Sequence, residues 1–207
     1  MRVFDLDHTL ITSNISLDFG LHLYRRKVIS LNHLLTLFFW YARHKVLGLG
    51  IEELQQAVFN RLFKGVLLQT ILDEVELFLK ENPLKLYIPA ISFLESDSIL
   101  LSSSPDFLVG PVCKALNINS FKASTYNVDA SGQLDSIQEV IEGAQKAKEI
   151  QLLSDKMGLR KEEITFYTDS IWDAPAFERV GTIVAVRPDR KLKKLAEKNH
   201  WEILGER

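Results

Sequence analysis

Cysteine is almost missing from these 207 residues: Cys113 stands alone. One thiol cannot close an internal disulfide, so a disulfide-stapled secreted scaffold is excluded and a cytoplasmic setting is expected. An excess of either charge is missing too, since 25 Lys+Arg face 27 Asp+Glu for a net −2. At 46% hydrophobic and 25% charged residues, the chain has the balance of a folded protein, neither disordered nor collagen-like. Internal repeats and low-complexity segments are absent from the sequence. A membrane-spanning run is absent as well: Val28 to Ala42 (VISLNHLLTLFFWYA) carries no formal charge but has only 15 residues. The opening MRVFDLDHTL brings acids at once, unlike a signal or transit peptide.

Acid is missing from one long stretch. Between Phe19 and Ile51 there is no Asp or Glu, while Arg25, Arg26, Lys27, Arg43 and Lys45 are present with His22, His33 and His44. That stretch contributes +5, leaving 20 basic against 27 acidic residues, or −7, for the remainder. Mean hydropathy of +0.01 is high for a soluble chain, and much of the surplus lies in the same stretch. Two readings of Val28 to Ala42 stand: a buried helix, or an interfacial helix touching anionic lipid with basic residues at both ends.

What is there begins with a short apolar run into acid, Val3-Phe4-Asp5, read as a buried strand. From Ser13 to Glu81 the pattern is helical, with Ile51, Leu54, Val58 and Leu62 on one face and Ile71, Leu72, Val75, Phe78 and Leu79 on the next. Gly65 and Asn82-Pro83 are the stops. Helices and strands then alternate. Leu86 to Glu95 reads as helix, Ser98 to Leu101 as strand, and Ser104-Pro105 as a hydroxyl-capped helix start. A hairpin turns at Asp129 to Gly132, followed by helix Gly143–Met157 and strand Ile164–Tyr167. Helix Ala174–Arg179, strand Thr182–Val186, helix Asp189–Asn199 and strand Trp201–Leu204 complete the chain. Such alternation predicts a mostly parallel sheet with helices on both faces, interrupted after its first strand by an all-helical insert.

Ligands bind at the carboxyl ends of such strands. There the sequence places Asp5 and Asp7, then Ser102-Ser103-Ser104, then Asp169 and Asp173, with Lys146 at a helix start. Carboxylates gathered at one edge repel one another unless a cation neutralises them, and oxygen-only ligands suit Mg²⁺. Hydroxyl donors and a lysine beside the metal make a phosphate site. Of two carboxylates so close together, one can attack phosphorus while the other handles protons. His8 reads as a loop filler, Trp172 as packing at the site's edge, Cys113 as buried and inert, and Lys191, Lys193 and Lys194 as a solvated helix face.

These residues resemble a known family. DLDHTL from Asp5 to Leu10 is similar to the DxDxT signature of the haloacid dehalogenase superfamily phosphatases, and Ser102, Lys146 in EGAQKAKEI, and Asp169/Asp173 in YTDSIWDAP match its remaining motifs in order. The resemblance implies an α/β, Rossmann-like core at 1–12 and 86–207 with an all-helical cap at 13–85, as in the phosphoserine-phosphatase-like branch. It implies that Asp5 is the nucleophile, Asp7 the acid and base, and Thr9 a buttress of the phosphate-binding loop. Ser102, Ser103 and Lys146 would hold the phosphoryl group, and Asp5, the Asp7 carbonyl, Asp169 and Asp173 would hold Mg²⁺. Two departures bear on substrate. Asn14 stands where phosphoserine phosphatases carry a Glu to read the amino group, and Arg61 lies near where their carboxylate-binding Arg falls. LHLYR and the apolar run to Trp40 resemble phosphatidylglycerophosphate phosphatases of the same branch.

The expectation is therefore a Mg²⁺-dependent phosphomonoester hydrolase working through an aspartyl-phosphate on a small-molecule or lipid substrate. No nucleic-acid partner is expected, and residues 19–51 offer a peripheral contact with the inner membrane face. The alternatives are a membrane-associated lipid-phosphate phosphatase, a phosphoserine-type phosphatase of small metabolites, a phosphotransferase, or, in a different class, a receiver-like signalling domain phosphorylated on Asp. The sequence leaves substrate and oligomeric state open.

Overall fold

The computed structural model describes residues 1–48 and 50–206, and the Lys45 side chain lies outside that description. In chain order the elements are β1 (Arg2–Phe4), α1 (Ile15–Arg25), α2 (Leu31–Leu47), α3 (Ile51–Leu62), α4 (Leu68–Glu81) and the single turn α5 (Ile88–Ile91). There follow β2 (Ile99–Pro105), α6 (Asp106–Ala115), β3 (Ser120–Val128), β4 (Leu134–Glu139), α7 (Ala144–Met157) and β5 (Thr165–Thr168). The last are α8 (Ala174–Phe177), β6 (Thr182–Val186), α9 (Arg190–Asn199) and β7 (Glu202–Leu204).

Among the described residues seven strands form one sheet in the order β4-β3-β2-β1-β5-β6-β7, parallel except where β4 runs against β3. Side-chain alternation splits the strands between two cores, as a period of two requires. Phe4, Leu100, Tyr167 and Val184 face α1 to α4 and α6, while Val3, Leu101, Phe166 and Ile183 face α7 and α8. Phe19, Leu37, Phe59 and Val75 of the four inserted helices belong to the same buried cluster as Phe4 and Leu100, so the insert packs onto the sheet side continuously.

Backbone bonds fasten the insert at two points. Thr12 N donates to Lys85 O at 2.7 Å and Tyr87 N to Leu10 O at 2.8 Å, which ties departure to return. Gly65 N donates to Leu134 O at 2.7 Å and Leu68 N to Gly132 O at 2.9 Å, which ties the α3–α4 turn to the hairpin.

Three expectations change. Only one turn of Leu86–Glu95 is helical, because Pro89 opens it and single-turn bonds such as Phe93 N to Ala90 O follow. The β2 strand continues through Ser102, Ser103 and Ser104 to Pro105, so Ser104 does not cap a helix and α6 begins at Asp106. Helix α2 is neither wholly buried nor wholly exposed. Leu34 and Leu37 are in the core, whereas Leu31, Leu35, Phe38, Phe39, Val46 and Leu47 face outward.

Candidate active site

β1 lies centrally, with β2 on one side and β5 on the other, so the three carboxyl ends meet at one edge. Asp5 follows β1 and its N–H donates to Tyr167 O at 2.9 Å. The chain then folds tightly from Leu6 to Leu10, with His8 in the left-handed region at φ 60°. A non-glycine residue there costs about 1 kcal/mol, partly offset by a contact of its Nδ1 with Thr12 O at 3.3 Å.

The buried Lys146 joins the two arms of the site. It reaches in from the first turn of α7, where Gly143 at φ 44° brings the chain so close to the next loop that a Cβ would stand 3.0 Å from Trp172 O. Its Nζ donates to Asp5 Oδ1 at 2.7 Å and to Asp173 Oδ2 at 2.9 Å. Although burial works against its charge, the Asp173 and Asp5 carboxylates hold the ammonium above the usual lysine range. Burial raises the Asp5 carboxyl, with Lys146 pulling the other way. Asp7 is pushed up to about 7, by burial first and then by the neighbouring Asp5 charge, against hydrogen bonds from Ile15 and Ser104. Those bonds are Ile15 N to Asp7 Oδ1 at 2.6 Å and Ser104 Oγ to Asp7 Oδ2 at 2.8 Å. A carboxyl poised near neutrality is suited to proton transfer.

The cluster opens on a cavity of about 70 Å³ whose walls include Asp5, Asp7, His8, Ser103, Lys146, Asp169 and Asp173. Neither Thr9 nor Ser102 lines it. Thr9 is fully buried and its hydroxyl has no hydrogen-bond partner. Ser102 is likewise buried, its Oγ accepting from Ser104 N at 3.1 Å. Of the three serines, Ser103 faces the cavity and Ser104 acts on Asp7. Arg61 is exposed and lines neither this cavity nor its neighbour. Trp172 lines the cavity and packs on the His44 ring of α2, with centroids 5.3 Å apart. Cys113 is 1% exposed and burial pushes its thiol up to about 12, so it is inert.

Several participants carry no local sequence signal. Thr168 Oγ1 donates to Asp173 at 2.6 Å, and its position at the last residue of β5 is the only hint. Asp189 accepts from Ile171 N at 2.9 Å while capping α9 through Lys191 N and Leu192 N, both at 2.8 Å. Glu142, His44 and Tyr41 complete the rim.

The donor set fits a hard divalent cation. Asp5, Asp7, Glu142, Asp169 and Asp173 all stand in the cavity walls, and Lys146 already pairs with Asp5 and Asp173. No group of three or more His, Cys, Asp or Glu side chains able to hold a metal occurs among the described residues. One or two carboxylates, with water and carbonyl oxygen filling the remaining positions, is the Mg²⁺ pattern.

Comparison with known proteins bears on the family and the fold. A family model described as haloacid dehalogenase-like hydrolase matches residues 3–178. A Mycobacterium tuberculosis protein named a probable phosphatase is 32% identical over 109 residues, covering 53% of this chain. That match spans only 38% of the relative's own length. Another M. tuberculosis protein, named phosphoserine phosphatase, is 25% identical over 218 residues, covering 97% of this chain and 68% of its own. A solved structure of a phospho-aspartyl intermediate analogue of phosphoserine phosphatase superposes with TM-score 0.72 at 16% identity, covering 100% of this chain and 92% of that one. At that identity the likeness is one of fold.

Proposed function

The chain belongs to the haloacid dehalogenase-like hydrolases, and from that premise we propose that it is a Mg²⁺-dependent phosphomonoesterase that forms an aspartyl-phosphate on Asp5. In this reading residues 1–12 and 86–207 are the catalytic core and residues 13–85 a cap. The observation that carries it is the meeting of Asp5, Lys146 and Asp173 in one buried cluster beside Asp7. Asp5, Asp169, Asp173 and the Asp7 carbonyl would hold a divalent cation, which would neutralise the phosphoryl oxygens.

The chain's own groups divide the work. A carboxylate oxygen of Asp5 attacks phosphorus, and Lys146 holds that carboxylate in place. As the bond from phosphorus to the leaving oxygen breaks, Asp7, protonated near neutral pH, gives its proton to that oxygen. Asp7, now a carboxylate, takes a proton from water as the water attacks the aspartyl-phosphate. Inorganic phosphate leaves and Asp5 is restored. Ser104 and Ile15 N aim Asp7, and Thr168 with Lys146 fixes Asp173. Positioning and charge neutralisation of a loose transition state supply the rate.

Mg²⁺-dependent release of phosphate from p-nitrophenyl phosphate tests the reading, with Asp5→Asn expected to abolish it while leaving the fold intact. Turnover by that variant refutes the nucleophile. A phosphorylated protein that forms once and persists would instead support a signalling role.

A second reading, peripheral contact with anionic lipid, is favoured by the outward face of α2. Leu31, Leu35, Phe38, Phe39 and Val46 form an exposed apolar stripe on a stretch without acid, with exposed Arg25, Arg26 and Lys27 at its start. No helix among the described residues is long and apolar enough to cross a membrane. Flotation with anionic vesicles, weakened by salt and by neutralising those three cations, is the expected result, and indifference to such vesicles at low salt refutes it.

A further inference from the structure

A second cavity, of about 90 Å³, adjoins the catalytic one between the inserted helices and β2, sharing Asn14, Tyr41, Ile51 and Ser103 in its walls. Its character is opposite. Leu17, Leu37, Leu54, Val58, Phe59 and Phe107 dominate the lining, and no Asp, Glu, Lys, Arg or His is among the lining residues. Two of its polar members, Gln55 and Asn14, have protein partners. The Gln55 amide donates to Ser103 O and to Ser124 Oγ at 3.2 Å, and its carbonyl accepts from Tyr126 OH at 3.1 Å. Asn14 Oδ1 accepts from Leu17 N at 3.0 Å as the cap of α1.

The position of this cavity is fixed relative to the chemistry. Ser104, which donates to Asp7, also contacts Ser16 through Oγ atoms 2.9 Å apart, and both serines stand in the apolar cavity's wall. Asp7 and the apolar cavity therefore share Ser104 as a neighbour.

We infer that the substrate is a phosphomonoester whose alcohol half is apolar and uncharged over the carbons nearest phosphorus. This rests on the phosphomonoesterase reading and names its substrate class. Inside the second cavity an ammonium or carboxylate would meet no countercharge in the walls, and such a group is not buried unpaired. An alkyl or aryl group there exchanges water for aliphatic and aromatic contact. A short soluble alkyl or aryl ester and a long-chain alkyl phosphate share this chemistry.

The test is kcat/KM of the Mg²⁺-loaded protein on methyl, propyl, butyl and hexyl phosphate and on O-phosphoserine. Each methylene is expected to raise kcat/KM about fourfold until the cavity is full. Propyl phosphate is expected to exceed O-phosphoserine by at least about a hundredfold. Val58→Phe, which adds a ring to the cavity wall, is expected to flatten the chain-length series. Should that variant not fold, the wild-type series decides alone. A dodecyl phosphate arm, in micelles and in vesicles, separates the two sources: a plateau at hexyl favours a soluble ester, and a further rise favours a lipid, each supporting the apolar class. A flat series, or O-phosphoserine at or above propyl phosphate, with p-nitrophenyl phosphate still hydrolysed, overturns the inference and leaves the phosphatase reading intact. If no ester is hydrolysed, the premise and the inference fall together.

Discussion

Removing the cation between two buried acids gives a stability effect whose size depends on pH. In Lys146→Met the methylene stem is replaced by a chain of similar shape, but Asp5 and Asp173 lose the ammonium that sits 2.7 and 2.9 Å from them. At pH 8, leaving such a buried group uncompensated costs about 3–5 kcal/mol. Protonation offers an escape only where it is cheap. In the unfolded chain an Asp titrates near 3.9, so holding one neutral costs about 1.5 kcal/mol at pH 5 and more than 5 kcal/mol at pH 8. Asp5 is already raised in the intact protein, and without Lys146 it rises further. A carboxyl raised by folding takes away stability as pH climbs above its unfolded value, so the penalty grows from about pH 4 upward and is smaller at pH 5 than at pH 8. With a urea m-value of about 2–3 kcal/mol/M, the midpoint at pH 8 should fall by about 1–2.5 M, and at pH 5 by half that or less. The assay is urea unfolding in chelator, followed by the fluorescence of Trp40, Trp172 and Trp201. An equal loss at both pH values, or one below about 1 kcal/mol at pH 8, refutes the reasoning.

Other outcomes follow from single sites. Asp7, raised to about 7, should make the metal-free protein lose stability between about pH 4 and 7, at up to about 1.4 kcal/mol per pH unit, and Asp7→Asn should remove that slope in urea midpoints. Ser104→Ala deprives Asp7 of its hydroxyl donor at 2.8 Å and should lower kcat about tenfold or more with KM little changed, as steady-state kinetics will read. At Gly181 a Cβ would stand 2.9 Å from Lys161 O and 2.5 Å from Glu162 Cα; Gly181→Ala should therefore cost about 1–3 kcal/mol in the same unfolding assay.

Much of this fold is written locally. Alternation in Val3-Phe4 and Ile99-Leu100-Leu101 marks strands that bury both faces, and both cores appear where that alternation sends them. The stops at Gly158, with φ 65°, and at Asn82 match helix ends. Ser104 shows where local reasoning breaks. A serine followed by proline before a helical pattern reads as a cap, yet the strand runs through it to pair Pro105 with Ser124 of β3, and its hydroxyl goes to Asp7, 97 residues away. Thr168 is silent in the sequence for the same reason: its partner is chosen by how the chain turns after β5, not by its neighbours.

Residue identity and periodicity alone determined that acids and serines follow successive buried strands and that a lysine opens a helix, which suffices for a parallel sheet with an anionic edge. These are properties of neighbours along the chain, and 3.6- and 2-residue periods report them. Only the tertiary structure decided that Ser103 faces the cavity while Ser102 and Thr9 do not, that Arg61 stays outside, and that a charge-free pocket opens beside Asp7. Such a pocket is a space between α1, α2, α3 and β2, and no single segment encodes a space. It exists because helices that bury one face against the sheet leave a gap where they meet the strand ends, and its chemistry is whatever side chains happen to converge there.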